Sequence, residues 1–527
     1  STMKARDLEW YDLFHMRGTR RDFLRLTGSV TGLVTLGALP ACGTERSVSL
    51  SSNPFLLGVA SGDPSPDGVV LWTRLARSAL VPVGAVAENL GVGWEIAEDD
   101  GFRRIIQSGS ATATPQLGHS VHVEVTGLEA GREYFYRMTT GGQQSPVGRT
   151  KTAPALGASV DRFRFGIASC QQYEYGFYTA LRHMADENFD LIVHLGDYIY
   201  ERSYGSNPVR SHEGPVVMTL DEYRARYTTY RSDADLMAAH ASAPWVVTWD
   251  DHEVDNDYAD DIAQDDQPVD EFLLRRAAAY QAFYEFMPLR RSSMPVGPDM
   301  QLYRRLRFGS LLEMNVLDTR QYRSDQPCAG APTCAQHIAP DQSILGAEQR
   351  NWLFAGLADT GARWNVLAQQ VMMARLRGIN DDGDETWSMD KWDGYPSERQ
   401  ATLELLAEVG TPNPIVLTGD IHSNWVADLH TDFDDLSSPI AATELVGTSI
   451  SSGGDGADMT AGGERRLSNN PHIKFYNGQR GYVTAEVTPD LWISEFKIVP
   501  VVTEPGAAIE TRATFVVENG RAGAQEG

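Results

Sequence analysis

Apolar and polar positions follow two different periods along the chain. Between about residues 48 and 155 they alternate in short runs. Val69-Val70-Leu71-Trp72-Thr73-Arg74 reads as a strand, and His119 to Val125 alternates as a half-buried strand does. Gly127-Leu128 and Gly131 punctuate before Tyr134-Phe135-Tyr136-Arg137, and short strands at this spacing predict a small β-sandwich over 48–155. It contains no catalytic cluster, so a supporting or substrate-rim role is expected of it. From 160 to 527 the pattern becomes strand, helix, strand. Phe163 to Ser169 precedes Cys170, a helical stretch runs through Phe177, Leu181 and Met184, and Leu191-Ile192-Val193-His194-Leu195 ends at Gly196-Asp197. The motif recurs: Trp245 to Trp249 ends at Asp250-Asp251-His252-Glu253, Leu311 to Leu317 at Asp318-Thr319-Arg320, and Ile415 to Thr418 at Gly419-Asp420-Ile421-His422. Each apolar run delivers a polar cluster at its carboxyl end, where the ligand sites of α/β sheets collect. The expected fold class is therefore α/β with an N-terminal all-β domain.

The first residues read as an address. Thr19-Arg20-Arg21-Asp22-Phe23-Leu24-Arg25 has the form of a twin-arginine export signal, followed by a weakly apolar stretch from Leu26 to Leu39. That stretch is shorter than the roughly 20 apolar residues a bilayer core demands. Leu39-Pro40-Ala41-Cys42 resembles a lipoprotein cleavage box, with an untypical Pro. A signal peptide over 1–42, passage through the twin-arginine translocase and a periplasmic or extracellular location are expected, with lipid anchoring at Cys42 as the alternative. Cys328 and Cys334 suit a local disulfide in that compartment, which leaves Cys170 without a partner. The 527 residues hold 71 acidic against 45 basic side chains, a formal net charge of −26. Such a field disfavours nucleic acid and anionic lipid as stable partners. A monomer is expected.

The strand-end clusters change the meaning of a few of those carboxylates. Each cluster alone reads as a surface turn or an ion-paired group. Carboxylates, imidazoles and a thiol converging on one sheet edge, however, repel or stay unpaired unless cations sit between them. Thiolate selects a transition metal over magnesium or calcium, whereas Asp, Asn and water oxygens suit hard cations. Tyr200 follows Asp197 by three residues where the chain leaves its strand, so its phenol either turns back toward the same ion or packs on the rim. Phenolate with thiolate and carboxylate favours ferric iron over zinc. Cys170 is either such a ligand or an inert buried thiol. The chain has no Gly-x-Ser-x-Gly elbow and no P-loop to supply another nucleophile or a nucleotide cradle.

Phe55 to Pro64 with Leu71-Trp72-Thr73-Arg74, Ala168-Ser169-Cys170, His194 to Tyr200, Trp249 to Asn256, Leu317 to Arg323, Trp392-Asp393-Gly394-Tyr395 and Thr418 to His422 follow one another in an order that resembles the PhoD-type secreted alkaline phosphatases. Secreted phospholipases D of the same superfamily are similar over these motifs. The resemblance implies a calcineurin-like metallophosphoesterase sandwich, two β-sheets flanked by helices, carrying a fibronectin-like domain and binding Fe3+ and Ca2+. It makes Cys170, Asp197, Tyr200 and Asp420 ligands of iron, with Asp197 bridging to calcium. His422, Asn256 and Asp393, the last preferred to Asp390, complete the calcium side or its surroundings. Asp251 belongs to the same metal set, and Asp257 stands where some relatives carry a second asparagine, so either Asn256 or Asp257 supplies that oxygen. His252 either transfers a proton or orients a carboxylate. Arg320 holds a substrate phosphate or pairs internally with Asp318. The implied activity is hydrolysis of phosphate esters by a metal-bound hydroxide without a covalent phosphoenzyme. Phospholipase D action on phospholipid head groups is the alternative, and a metal-dependent binding protein is the non-enzymatic one.

Overall fold

Strand pairing builds two stacked sheets, and one long strand belongs to both. The computed structural model describes residues 52–76, 88–205, 207–212, 214–265, 267–330, 339–380 and 382–527. The twin-arginine pattern, Cys42 and Cys334 lie outside the described residues. The first sheet runs, strand by strand, through Ser120–Thr126, Gly68–Arg74, Val59–Ser65, Pro244–Thr248, Leu191–Leu195 and Phe163–Ala168. It continues through the second half of Ile473–Val487 to Leu491–Val499, Glu510–Glu518 and Gln525–Glu526. The second sheet runs through Arg304–Phe308, Leu312–Val316, Trp364–Ala368, Pro414–Thr418, Ile440–Val446 and Asn424–His430 to the first half of Ile473–Val487. Where that strand passes between sheets it carries Gly481, because a Cβ there would collide with the Lys497 carbonyl.

Leu191–Leu195, Pro244–Thr248 and Leu312–Val316 are buried throughout because both their faces are covered, as in a parallel run, whereas the antiparallel edge strand Arg304–Phe308 is partly exposed. In Leu191–Leu195 the period of two sends Leu191, Val193 and Leu195 into the core between the sheets, where they meet Met314, Val366 and Leu417, while Ile192 faces the helices. Each such aliphatic side chain contributes about 1.5–3 kcal/mol when fully buried. Helices Thr179–Asp186, Leu220–Arg231, Ala234–Ser242 and Val269–Phe286 cover the outer face of the first sheet. Gly346–Ala358 and Pro396–Glu408 cover that of the second. Leu220–Arg231 starts where Thr219 and Glu222 form a reciprocal capping box.

The N-terminal sandwich is present, with one difference from an independent domain. Its smaller sheet consists of Ile105–Ala113, Leu90–Ala97, Glu133–Thr140, the short Gln143–Gln144 and Gly148–Lys151 and packs through Val92, Ile96 and Tyr136 on Val69 and Leu71. Its other sheet is the edge of the large first sheet: Ser61 and Gly62 pair in parallel with Pro244 and Trp245. The extension covers what would otherwise be an open edge of the strand Pro244–Thr248. Accordingly Ser49–Gly527 forms one compact unit.

Parallel direction is what places the chemistry. Phe163–Ala168, Leu191–Leu195 and Pro244–Thr248 all point the same way, as do Leu312–Val316, Trp364–Ala368 and Pro414–Thr418 in the second sheet. Their carboxyl ends meet across the sandwich, where the Gln370 amide donates to Thr248 Oγ1 at 2.8 Å and Thr248 Oγ1 donates to the Leu317 carbonyl at 3.1 Å.

Candidate active site

Three strand ends turn sharply enough to take left-handed backbone at residues other than glycine: Cys170 (φ 58°), Asp197 (φ 57°) and Asp420 (φ 64°), with His422 (φ 56°) two residues further on. Each such residue costs on the order of 1–3 kcal/mol, strain that persists only where surroundings over-determine it. Those surroundings are visible. The Cys170 and Gln171 amides donate to the Gly196 and Asp197 carbonyls at 3.0 Å each. Glu253 then accepts from the amides of Asp197 (3.2 Å), Tyr198 (2.5 Å) and Asp250 (2.9 Å), clamping two strand ends with one carboxylate. Burial pushes its carboxyl up to about 8 against those donors, with Asp250 and Asp251 adding to the rise. Gly196 is required because a Cβ there would sit 2.5 Å from the Asp250 nitrogen.

The result is two groups of ligand atoms that share one carboxylate. Atoms of Cys170, Asp197 and His422 lie within 4.8 Å of one another, and so do atoms of Asp197, Asp251 and His252. The Tyr200 phenol turns back to the cluster: it donates to Asp197 Oδ2 at 2.9 Å and lies 2.7 Å from Ser452 Oγ and 3.2 Å from His422 Nε2. Asp197 Oδ1 is buried without a hydrogen-bond partner. Burial, then the neighbouring Asp197, drives the Cys170 thiol and the Tyr200 phenol well above their ordinary ranges, and burial does the same to Asp197. Burial brings His422 down to about 3, leaving it neutral and able to ligate. A sulfur, a phenol oxygen, a carboxylate and a neutral imidazole in one pocket, with an orphaned carboxylate oxygen between them, fit a transition metal whose charge would favour the deprotonated donors.

Beyond Asp197 the site becomes more acidic. Asp251 accepts from the amides of His252 (3.0 Å) and Asp257 (2.7 Å). Burial opposes ionisation there, but Arg320 and His252 bring its carboxyl down to about 2. His252 lies 2.8 Å from Glu201 Oε2 through Nδ1, and its ring stacks on Tyr200 at 4.1 Å between centroids. Burial works against its cation, but Asp251, Asp197 and Glu201 outweigh it and hold the imidazole protonated well above its usual range. Asp257 is raised to about 7 by burial and then by Asp390 and Asp251, and its Oδ2 accepts from Gln264 at 3.0 Å.

Four expected positions stand differently. Arg320 is fully buried and offers nothing to a substrate: its Nε donates to Asp250 at 2.6 Å and its two Nη groups fork onto Asp390 at 2.6 and 2.9 Å. The guanidinium partners are Asp250 and Asp390, whereas from Arg320 the Asp318 side chain accepts only the backbone amide, at 2.9 Å. Asp393 does not reach the cluster, because its carboxylate accepts from the Leu376 amide at 2.9 Å and from Arg399 at 2.5 Å, tying down the helix Pro396–Glu408. Asp390 takes the place beside Arg320 and Arg323 instead. Asn256 Nδ2 donates to Gln264 Oε1 at 2.9 Å, a bond that does not involve its carbonyl oxygen, and Asp257 is the acidic group facing Asp251 and Asp390. Asp420 pairs with Lys391 and is absent from the two groups of converging ligand atoms. Glu201, Glu253 and Lys391 carry no role that the sequence assigns, whereas Ser452 belongs to the Gly-rich run Ser451 to Gly456, which reads either as backbone brought close to the site or as a plain loop. A signal existed for Glu201, which directly follows Tyr200, and for Lys391, a lone cation between Asp390 and the Trp392-Asp393 motif.

This sandwich with a cluster at its strand ends defines a class. Residues 165–496 match the model of the PhoD-like phosphatase family, and residues 41–154 match that of the PhoD-like phosphatase N-terminal domain. The chain belongs to the PhoD-like phosphatase family and is a phosphoric ester hydrolase. It is 50% identical over 518 residues to alkaline phosphatase D of Bacillus subtilis (strain 168), covering 96% of this chain and 88% of that protein. A solved structure described as that of PhoD is 51% identical and superposes with a TM-score of 0.88 over 91% of this chain and 93% of the other.

Proposed function

We propose that the chain is an exported phosphatase and phosphodiesterase whose chemistry depends on ferric iron and calcium. The observation that carries this reading is the pair of ligand groups sharing Asp197, whose Oδ1 is buried without a protein partner. Cys170, Tyr200, Asp197 and His422 would hold iron, with Asp420 released from Lys391 to join them. Asp197, Asp251, Asp257 and Asp390 would face calcium. When bound there, the two ions supply Lewis acidity, neutralising phosphate charge and activating water. The chain's own part is positional. Glu253 fixes Asp197 and Asp250 together, and Ser452 holds the Tyr200 hydroxyl in line with Asp197. His252, oriented through Nδ1 by Glu201, keeps a proton that its other nitrogen can deliver to a departing alkoxide. The N-terminal sandwich over 48–155 serves as a brace, and the arginine pair at Arg20 and Arg21 supports export by the twin-arginine route. Among the described residues no helix is long and apolar enough to cross a membrane. A panel of p-nitrophenyl phosphate, its bis ester and phosphatidylcholine tests the reading. Turnover of the first two is expected; turnover of the lipid alone would transfer the assignment to a phospholipase D, and turnover of none with metals loaded would overturn it.

A further inference from the structure

A cavity of about 940 Å3 opens directly beside the ligand cluster, with His422 on one wall and the helix Ala461–Asn469 on the other. Three arginines line it: Arg465, Arg466 and Arg480. Elsewhere in this acidic chain arginines are commonly matched to carboxylates, as at Arg224 with Glu285 or Arg399 with Asp393. None of these three forms an ion pair among the described residues. Arg480 is the fixed inner wall, 4% exposed. It donates to Ser449 Oγ at 2.5 Å and to the Ser452 and Gly478 carbonyls, all uncharged acceptors, and its Nε has no partner. Arg465 and Arg466 are exposed on the helix, so both guanidinium forks are free to close on a ligand. The first turn of that helix, capped by Thr460, also lines the cavity with Gly462 and Gly463, adding backbone N–H polarity of the same sign. Solvated surface arginines alone would not explain the arrangement: three unmatched cations gather around one cavity of a chain with net charge −26, and the innermost is buried.

We propose that this cavity is a subsite for a second anionic group on the substrate, a phosphate carried a short linker away on the leaving alcohol. An ester with its phosphorus at the Cys170, Asp197 and His422 group extends that substituent past His422 into the cavity. Arg465 and Arg466 grip the second phosphate, and Arg480 sets the potential behind it. The inference rests on the phosphoesterase reading and names the substrate feature that reading leaves open.

The test compares propyl phosphate with propane-1,3-diyl bisphosphate on the metal-loaded enzyme and on the double variant Arg465→Gln/Arg466→Gln. Both positions are exposed and unpaired, so the variant folds. The wild type is expected to prefer the bisphosphate in kcat/KM, and the ratio of the two values is expected to fall at least about tenfold in the variant, mainly through KM. A ratio within twofold of the wild type's, or a wild type without the preference, overturns the proposal. Calorimetric titration with the non-hydrolysable propane-1,3-diyl bisphosphonate separates the two readings. If neither ester is turned over, the phosphoesterase reading fails on its own. The subsite then stands if bisphosphonate binding weakens about tenfold in the variant, and falls if binding is equal in both proteins.

Discussion

The two sides of the acidic centre handle buried charge in opposite ways. Around Asp250, Asp251 and Asp390 the protein provides its own cations: Arg320 bridges Asp250 and Asp390, Arg323 reinforces Asp390 at 3.1 Å, and Lys391 lies alongside. Arg320 and Arg323 hold the Asp390 carboxyl well below its usual range in spite of burial. Around Cys170 and Tyr200 no side chain among the described residues forms an ion pair with either group, and both are driven toward their protonated forms. Desolvating a charge costs several kcal/mol unless a partner compensates it. The first side is thus a largely self-compensated network, whereas the second has the donors of a metal site with no cation paired to the thiol or the phenol, and the nearby His252 and Arg480 leave both protonated.

That contrast predicts that damage to the two sides separates activity from stability. Asp197→Ala removes the shared carboxylate and is expected to lower kcat/KM by about 10³-fold or more while leaving the thermal melt near that of the wild type. Retained turnover would dissolve the distinction. Arg320→Met does the reverse: it strands Asp250 without its cation, leaves Asp390 with Arg323 alone of its forked partners and is expected to cost about 3–5 kcal/mol in denaturant unfolding. A loss below about 1 kcal/mol would mean that the network is not self-compensated.

The same physics acts more gradually, per unit of pH, away from the centre, in histidines that are buried neutral. Burial brings His122 down to about 4 and His194 to about 3, and neither nitrogen of His194 has a hydrogen-bond partner. The unfolded imidazole titrates near 6.5 and so binds more protons than the folded one below that pH. Stability is therefore full above about 6.5 and falls as the pH drops toward 4, by about 1.4 kcal/mol per unit for each histidine. Denaturant melts at pH 7, 6 and 5 check this, and a flat profile would contradict it. Replacing His194 by Gln should flatten part of the slope.

Much of this organisation is legible in the residues because the strands are short and regular. Leu191–Leu195, Pro244–Thr248, Leu312–Val316 and Pro414–Thr418 fall where apolar runs end in Gly-Asp, Asp-Asp-His-Glu and Asp-Thr-Arg clusters. Less legible were features set by pairing between distant segments. Val59–Ser65 falls in the segment that reads as a separate sandwich, yet it joins a strand some 180 residues later, a register fixed only by the assembled edge. Asp390 and Asp393 differ by three residues around the short helical turn Trp392–Gly394, where no periodicity tells which carboxylate faces inward. Arg320 stands beside Asp318 in sequence, but its fork reaches across the sandwich to Asp250 and Asp390. The arginines of the neighbouring cavity carry no motif at all; their meaning lies in the carboxylates they lack.

Ferric iron at Cys170, Asp197 and Tyr200, as proposed, would show itself in the visible absorption of the purified enzyme. A phenolate on ferric iron gives a charge-transfer band, so the wild type is expected to be coloured with iron bound, and Tyr200→Phe is expected to lose the band while remaining folded. A colourless, iron-free preparation that turns over phosphate esters at full rate would contradict the account.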